Sequence, residues 1–198
     1  MSSRGGYPAA LTATSAARSG LLLAGLAGAV GLRAAAGGDR VAASTPAALL
    51  FVGALLALAG AAGWRPGTLR ARHVAAGVLG AAVLVGAWWL GAGARLHPTV
   101  GVATLAWWSP VVVAVAVAEE ALLRGALFTA LQEWRGPQVA LAVTSVAFAV
   151  MHIPLYGVGA VPLDLAVGLW LGGLRLVTGT WTAPAVAHAL ADLAGGWL

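Results

Sequence analysis

The chain has 198 residues, of which 61% are hydrophobic and only 9% are charged, whereas soluble domains carry roughly a quarter charged residues. This composition excludes an ordinary soluble protein and indicates a bilayer as the solvent, and the net charge of +5 comes from scattered single arginines, so no nucleic-acid partner is expected. The absence of cysteine excludes a disulfide framework, a thiolate nucleophile and a cysteine-based metal site.

The N-terminal part of the chain begins with a polar segment. Residues 1–18 are mostly Ser, Gly, Ala and Arg without apolar periodicity, and they are interpreted as a polar N-terminal tail. Three apolar runs follow, at residues 19–32, 47–64 and 74–94. The arginines between these runs, Arg33 among them, are predicted to lie in loops at the membrane surface. Residues 19–98 are therefore interpreted as the N-terminal transmembrane helices.

The C-terminal part, residues 99–198, is apolar almost throughout. Pro110 is predicted to divide its first stretch into a short interfacial segment and a helix over residues 110–132. Three shorter apolar runs follow, at residues 138–152, 162–177 and 181–197. Gly168 and Gly172, with Gly173 beside them, give one of these helices a face for close packing.

Taken together, the apolar runs predict an all-α, polytopic transmembrane helical bundle of about seven helices, within a range of six to eight. Such a protein is expected to be a multi-pass protein of the cell membrane, in contact with the lipid bilayer. The distribution of arginines between the two sides favours a cytoplasmic N-terminus.

An adjacent pair of acidic residues is the first sign of a functional site. Glu119 and Glu120 lie inside an apolar helix that also contains Arg124, where an unpaired charge costs roughly 2.5–3.5 kcal/mol. Glu120 and Arg124 are one helical turn apart in the favourable order, so we predict a structural ion pair between them. Glu119 points about 100° away and has no sequence-local partner. It is therefore the candidate general base, the alternative being a structural carboxyl bonded to a neighbouring helix.

Two later apolar helices each contain one histidine, His152 and His188. Either residue alone is more typical of a hydrogen-bonded structural histidine, but their occurrence together with Glu119 favours a shared site. Asp192 lies one turn after His188 and can accept an imidazole N–H or join His188 around a bound group, the alternative being a simple His–Asp pair. Phe148, one turn before His152, is predicted to pack beside the ring without direct chemistry.

Three motifs resemble those of the CPBP family of CAAX prenyl endopeptidases and related bacterial intramembrane (Abi) proteins. They occur in the order Glu119-Glu120-x-x-x-Arg124, Phe148-x-x-x-His152 and His188-x-x-x-Asp192, each in an apolar helix. The resemblance covers about residues 110–198 and no part of the N-terminal helices. It departs from the family pattern at Asp192, where many members have Asn, and at Leu123, where an aromatic residue often precedes the arginine.

The resemblance implies an intramembrane endopeptidase that hydrolyses a peptide bond of a membrane-associated peptide or protein. It implies that Glu119 and His152 activate a water molecule, and that His188 and Asp192 stabilise the oxyanion. By the same resemblance, Glu120 and Arg124 would brace the site, and residues 99–198 would form a CPBP-like catalytic helical region.

Other interpretations stay open at this point. Two histidines and one or two carboxylates form a plausible zinc set with an open position, so Glu119, His152, His188 and Asp192 are also candidate metal ligands and zinc is a candidate cofactor. A non-hydrolytic member of the fold, acting in regulation or bacteriocin immunity, is a second interpretation. A proton-coupled transporter that uses the ionisable groups as a relay is a third, which the small size and the lack of an internal repeat disfavour.

Overall fold

A computed structural model of the protein describes residues 9–92 and 102–195. The α-helices of this part are α1 (Ala9–Gly37), α2 (Thr45–Ala61), α3 (Ala71–Ala92), α4 (Val102–Glu120), α5 (Phe128–Arg135), α6 (Pro137–Met151), α7 (Ile153–Tyr156), α8 (Val161–Thr178) and α9 (Thr182–Gly195). A π-helical segment, Ala121–Leu127, joins α4 and α5 into one continuous helix, and α7 is a single turn. The predicted all-α bundle of about seven helices is therefore confirmed for the described residues.

Within the part of the chain that the structure describes, four helical segments are long and apolar enough to cross a membrane. They are Thr14–Arg40, Ala71–Leu90, Pro137–Tyr156 and Val158–Thr178, and α2 is a shorter apolar helix. Large apolar side chains such as Leu79 and Val177 face outwards on these segments. Because such surfaces are stable against lipid tails and costly in water, the protein is a membrane protein.

The buried core surrounds the continuous α4–α5 helix, which contacts α1, α2, α6 and α9. Small residues allow close approach elsewhere in the bundle. A Cβ atom at Gly168 of α8 would lie 3.0 Å from the Cα and carbonyl oxygen of Ser145 on α6, and one at Gly172 would lie 2.4 Å from the Leu141 side chain. The predicted packing face of α8 is thus confirmed for these two glycines, whereas Gly173 faces open space.

The first helix begins earlier than hydropathy predicted. α1 starts at Ala9, so residues 9–18, which the sequence placed in a polar tail, extend this helix, and residues 1–8 lie outside the described residues. Ser15 Oγ and Arg18 Nη2 donate to Glu133 Oε2 on α5, at 3.0 and 2.5 Å. These polar residues lack apolar periodicity because their partner is another helix, which a local pattern does not reveal.

The course of α4 also differs from the prediction. The helix passes through Pro110 and does not begin there, so the predicted interfacial segment is helical from Val102, the first residue described after the gap at residues 93–101. Proline is tolerated inside a membrane helix because neighbouring groups and local adjustment satisfy the freed backbone carbonyl. After Glu120 the helix widens into the π segment, at the end of which the Phe128 N–H donates to the Leu123 carbonyl.

Candidate active site

The side chains singled out by the motifs lie close together inside the bundle. Glu119 Oε2, at the end of α4, is 3.9 Å from His152 Nε2 and 3.9 Å from His188 Nε2. Asp192 Oδ2 is 3.5 Å from the same His188 nitrogen. Glu119 is only 2% exposed. One carboxylate oxygen therefore faces both imidazoles in a buried setting.

The distances from Glu119 Oε2 to the two imidazoles are longer than direct hydrogen bonds. Direct N–H···O hydrogen bonds have lengths of about 2.7–3.2 Å, and both imidazole nitrogens stand 3.9 Å from this oxygen. A separation of this size between polar atoms is compatible with a water that bridges them. A water bound here would contact a base and two imidazole nitrogens at once.

Local helix geometry orients the ring of His152. Since α6 ends at Met151, the Phe148 carbonyl lies in the last turn, where carbonyls lack an intrahelical partner. The His152 Nδ1–H donates to this carbonyl at 2.8 Å, because a carbonyl oxygen can only accept. The hydrogen bond directs the other ring nitrogen, Nε2, towards Glu119.

A buried ion pair holds the second histidine. Glu120 Oε1 accepts from Arg124 Nη1 at 3.0 Å, with both side chains fully buried, and from His188 Nδ1 at 3.1 Å. Arg124 Nη2 also donates to the Gly168 carbonyl at 3.0 Å, and its guanidinium lies 4.9 Å from the centre of the Phe148 ring. The one-turn spacing predicted the Glu120–Arg124 ion pair but not its second role. Glu120 of this pair also anchors His188, which lies on another helix.

Aromatic rings line the site. Phe148 lies 4.6 Å from the His152 ring and 5.3 Å from the His188 ring, centre to centre. Tyr156 stacks on His152 at 5.7 Å and is 61% exposed. Sequence reasoning missed Tyr156, although its one-turn spacing from His152 is a signal that could have identified it. With Asp192, whose side chain is 41% exposed, Tyr156 forms the open side of the site.

Arg33 is a second residue that sequence reasoning missed. Predicted to lie in a surface loop, it instead lies within α1, is 7% exposed and places Nη1 4.0 Å from Glu119 Oε1. Its guanidinium lies 4.8 Å from the centre of the Phe51 ring. The prediction was wrong because hydropathy treats any arginine as the end of an apolar run. Here the Glu119 carboxylate, which belongs to another helix, supplies a counter-charge that stabilises Arg33 inside the protein.

The same side chains were also considered as zinc ligands. Within the part of the chain that the structure describes, no group of three or more His, Asp or Glu residues is arranged to hold a metal ion. Both Nε2 atoms lie 3.9 Å from a single oxygen of Glu119. The zinc alternative therefore has no ligand cluster among the described residues.

The C-terminal part of the chain matches a known family. Residues 100–194 match the family described as type II CAAX prenyl endopeptidase, Rce1-like. No match was found among curated proteins or among solved structures. The matched range contains all three motifs, so the resemblance drawn from them is confirmed for residues 100–194, whereas α1 with Arg33 lies outside this range.

Proposed function

Because residues 100–194 belong to the Rce1-like type II CAAX prenyl endopeptidase family, we propose that this protein is a multi-pass intramembrane endopeptidase of the cell membrane. Its substrate is a membrane-associated peptide or protein, and the nucleophile is a water activated by Glu119 and His152. The observation that supports this best is the position of Glu119 Oε2, which is 3.9 Å from both histidine Nε2 atoms in a buried setting.

The proposed reaction begins with a proton transfer. A water between Glu119 and His152 passes a proton to the carboxylate and attacks the scissile carbonyl carbon as hydroxide. The carbonyl oxygen becomes an oxyanion, which the Nε2–H of His188 stabilises, with Asp192 as its counter-charge. Collapse of the intermediate breaks the C–N bond, and Glu119 returns its proton to the leaving nitrogen. The immediate products are a carboxylic acid and an amine, and transfer of the acid proton to the amine gives a carboxylate and an ammonium group.

The surroundings support this division of roles. Glu120 and Arg124 are fully buried, and Glu120 holds His188 by its Nδ1, which leaves Nε2 directed at the reacting atoms. A hydrogen bond to the second ring nitrogen fixes the orientation of a catalytic imidazole and costs no reorganisation during the reaction. In a water-poor interior these interactions are stronger than in bulk water.

The route to the site is proposed on its exposed side. Asp192 and Tyr156 are the partly exposed members of the cluster, at 41% and 61%, while Glu119 lies behind them. A peptide tethered to the membrane by a lipid group would enter the site through this side. We therefore expect substrates with a membrane anchor to be cleaved in preference to their soluble counterparts.

The experiment compares wild-type protein with Glu119→Gln, both reconstituted in liposomes at equal amounts. The probe is a farnesylated CAAX-type peptide, with its unprenylated form as the control, and released C-terminal fragments are measured by mass spectrometry. Wild type should release the fragment from the farnesylated peptide and the variant should not. Equal release by the two proteins would remove Glu119 as the base.

A further inference from the structure

A buried cation on α1 stands next to the proposed base. Arg33 Nη1 is 4.0 Å from Glu119 Oε1, and the Arg33 Nε has no hydrogen-bond partner among the described residues. The residue is 7% exposed and packs over the Phe51 ring. An arginine in this environment is costly unless a counter-charge is close. Glu119 is the carboxylate that supplies this charge.

The two oxygens of Glu119 face different partners. Oε2 faces His152 and His188 at 3.9 Å each, whereas Oε1 faces Arg33 at 4.0 Å. A contact of this length is electrostatic rather than a direct hydrogen bond. The guanidinium thus attracts one oxygen and leaves the other directed at the site of the water.

The position of Arg33 depends on how α1 docks against the continuous α4–α5 helix. Near the start of α1, Ser15 and Arg18 bond to Glu133 close to the end of α5, and near the end of α1, Arg33 meets Glu119 close to the end of α4. The two helices therefore run antiparallel, with polar contacts towards both ends.

We propose that Arg33 is a positioning residue for Glu119: it neutralises the carboxylate and orients it, so that Oε2 faces the two histidines. The helix that carries Arg33 lies outside the family-matched residues 100–194, so the N-terminal region completes a site whose other members lie inside them. The kinetic consequence rests on the proposed peptidase function. The Arg33–Glu119 interaction itself does not.

The kinetic test uses full-length Arg33→Gln and Arg33→Lys in liposomes with the farnesylated peptide. Since a misplaced catalytic group costs on the order of 100-fold in rate, Arg33→Gln should lower kcat by about 10- to 100-fold and change KM by less than about threefold. Arg33→Lys keeps the charge and should recover most of kcat. Wild-type kcat in Arg33→Gln, or no recovery with lysine, would overturn the proposal.

Arg18→Gln is the matched control, because it removes an arginine from the same helix and an ion pair whose side chains are 36% and 44% exposed. It should leave kcat unchanged. If it lowered kcat as much as Arg33→Gln, the effect would come from the docking of α1 and the proposal would be wrong.

A second measurement does not depend on activity. Melting temperatures of wild type, Arg33→Gln, Glu119→Gln and the double variant form a double-mutant cycle. Arg33→Gln should destabilise the protein less when Glu119 is already neutral, whereas additive losses would overturn the Arg33–Glu119 interaction. If the wild-type protein cleaves no peptide but the cycle is non-additive, the proposed function is wrong and the Arg33–Glu119 interaction still holds.

Discussion

Replacing Glu120 by glutamine tests the division of roles between the two adjacent glutamates. Glu120 Oε1 accepts from Arg124 at 3.0 Å and from His188 at 3.1 Å, and both members of the ion pair are fully buried. Removing one partner of a buried pair costs about 3–5 kcal/mol, because the other charge is left uncompensated. Arg124 would keep its hydrogen bond to the Gly168 carbonyl, so the lower half of this range is expected.

This cost predicts a measurable loss of thermal stability. For a domain of this length, 1 kcal/mol corresponds to a change in Tm of roughly 2–4 °C, so Glu120→Gln should lower Tm by about 6–16 °C. Glu119→Gln also removes the counter-charge of Arg33, but the ionic partners of Glu119 stand 3.9–4.0 Å away and no direct hydrogen bond within the described residues is lost, so its effect on Tm should be smaller. Activity should show the opposite order at temperatures where both variants are folded, with Glu119→Gln inactive and Glu120→Gln partly active.

The assay is intrinsic tryptophan fluorescence during heating in detergent, for which the chain provides nine tryptophans. Both variants are compared with wild type at equal protein and detergent concentrations. The reasoning is refuted if Glu120→Gln melts within about 2 °C of wild type, or if Glu119→Gln is the less stable of the two.

Three further changes test the remaining parts of the site. Asp192→Asn should keep kcat within about tenfold of wild type. The Asp192 side chain is 41% exposed and stands 3.5 Å from His188, where an amide oxygen can also accept. A loss of a thousandfold in peptide release would contradict this prediction. A zinc chelator should leave the rate of peptide release unchanged, since no three-ligand cluster occurs among the described residues. Inhibition by the chelator that added zinc reverses would contradict the proposed metal-free reaction. Gly168→Ala should destabilise the protein by about 1–3 kcal/mol, because the new Cβ lies 3.0 Å from the Ser145 backbone. The resulting shift of α8 would displace the residue 168 carbonyl that accepts from Arg124. An unchanged Tm would contradict this prediction and show that α8 can shift freely.

The sequence determined the class of protein and the local pairs of the site. Its composition requires a membrane environment, and the apolar runs predict about seven helices, as observed over residues 9–92 and 102–195. The spacing of Glu120 to Arg124, and of His188 to Asp192, is one helical turn, and both pairs are close in space. These features are predictable because the helical repeat converts a spacing of four residues into proximity on one face.

Only the tertiary structure decided which helices meet at the site and in which register they pack. It brings Glu120 to His188 across 68 positions of the chain, and it places Arg33 of α1 beside Glu119. It also extends α1 back to Ala9, where Ser15 bonds to a residue 118 positions away. Hydropathy does not encode such contacts, because lipid and neighbouring helices are equally apolar, so apolar residues do not specify the partner or the register of a helix. The few buried polar groups do specify them, but only once their distant partners are known.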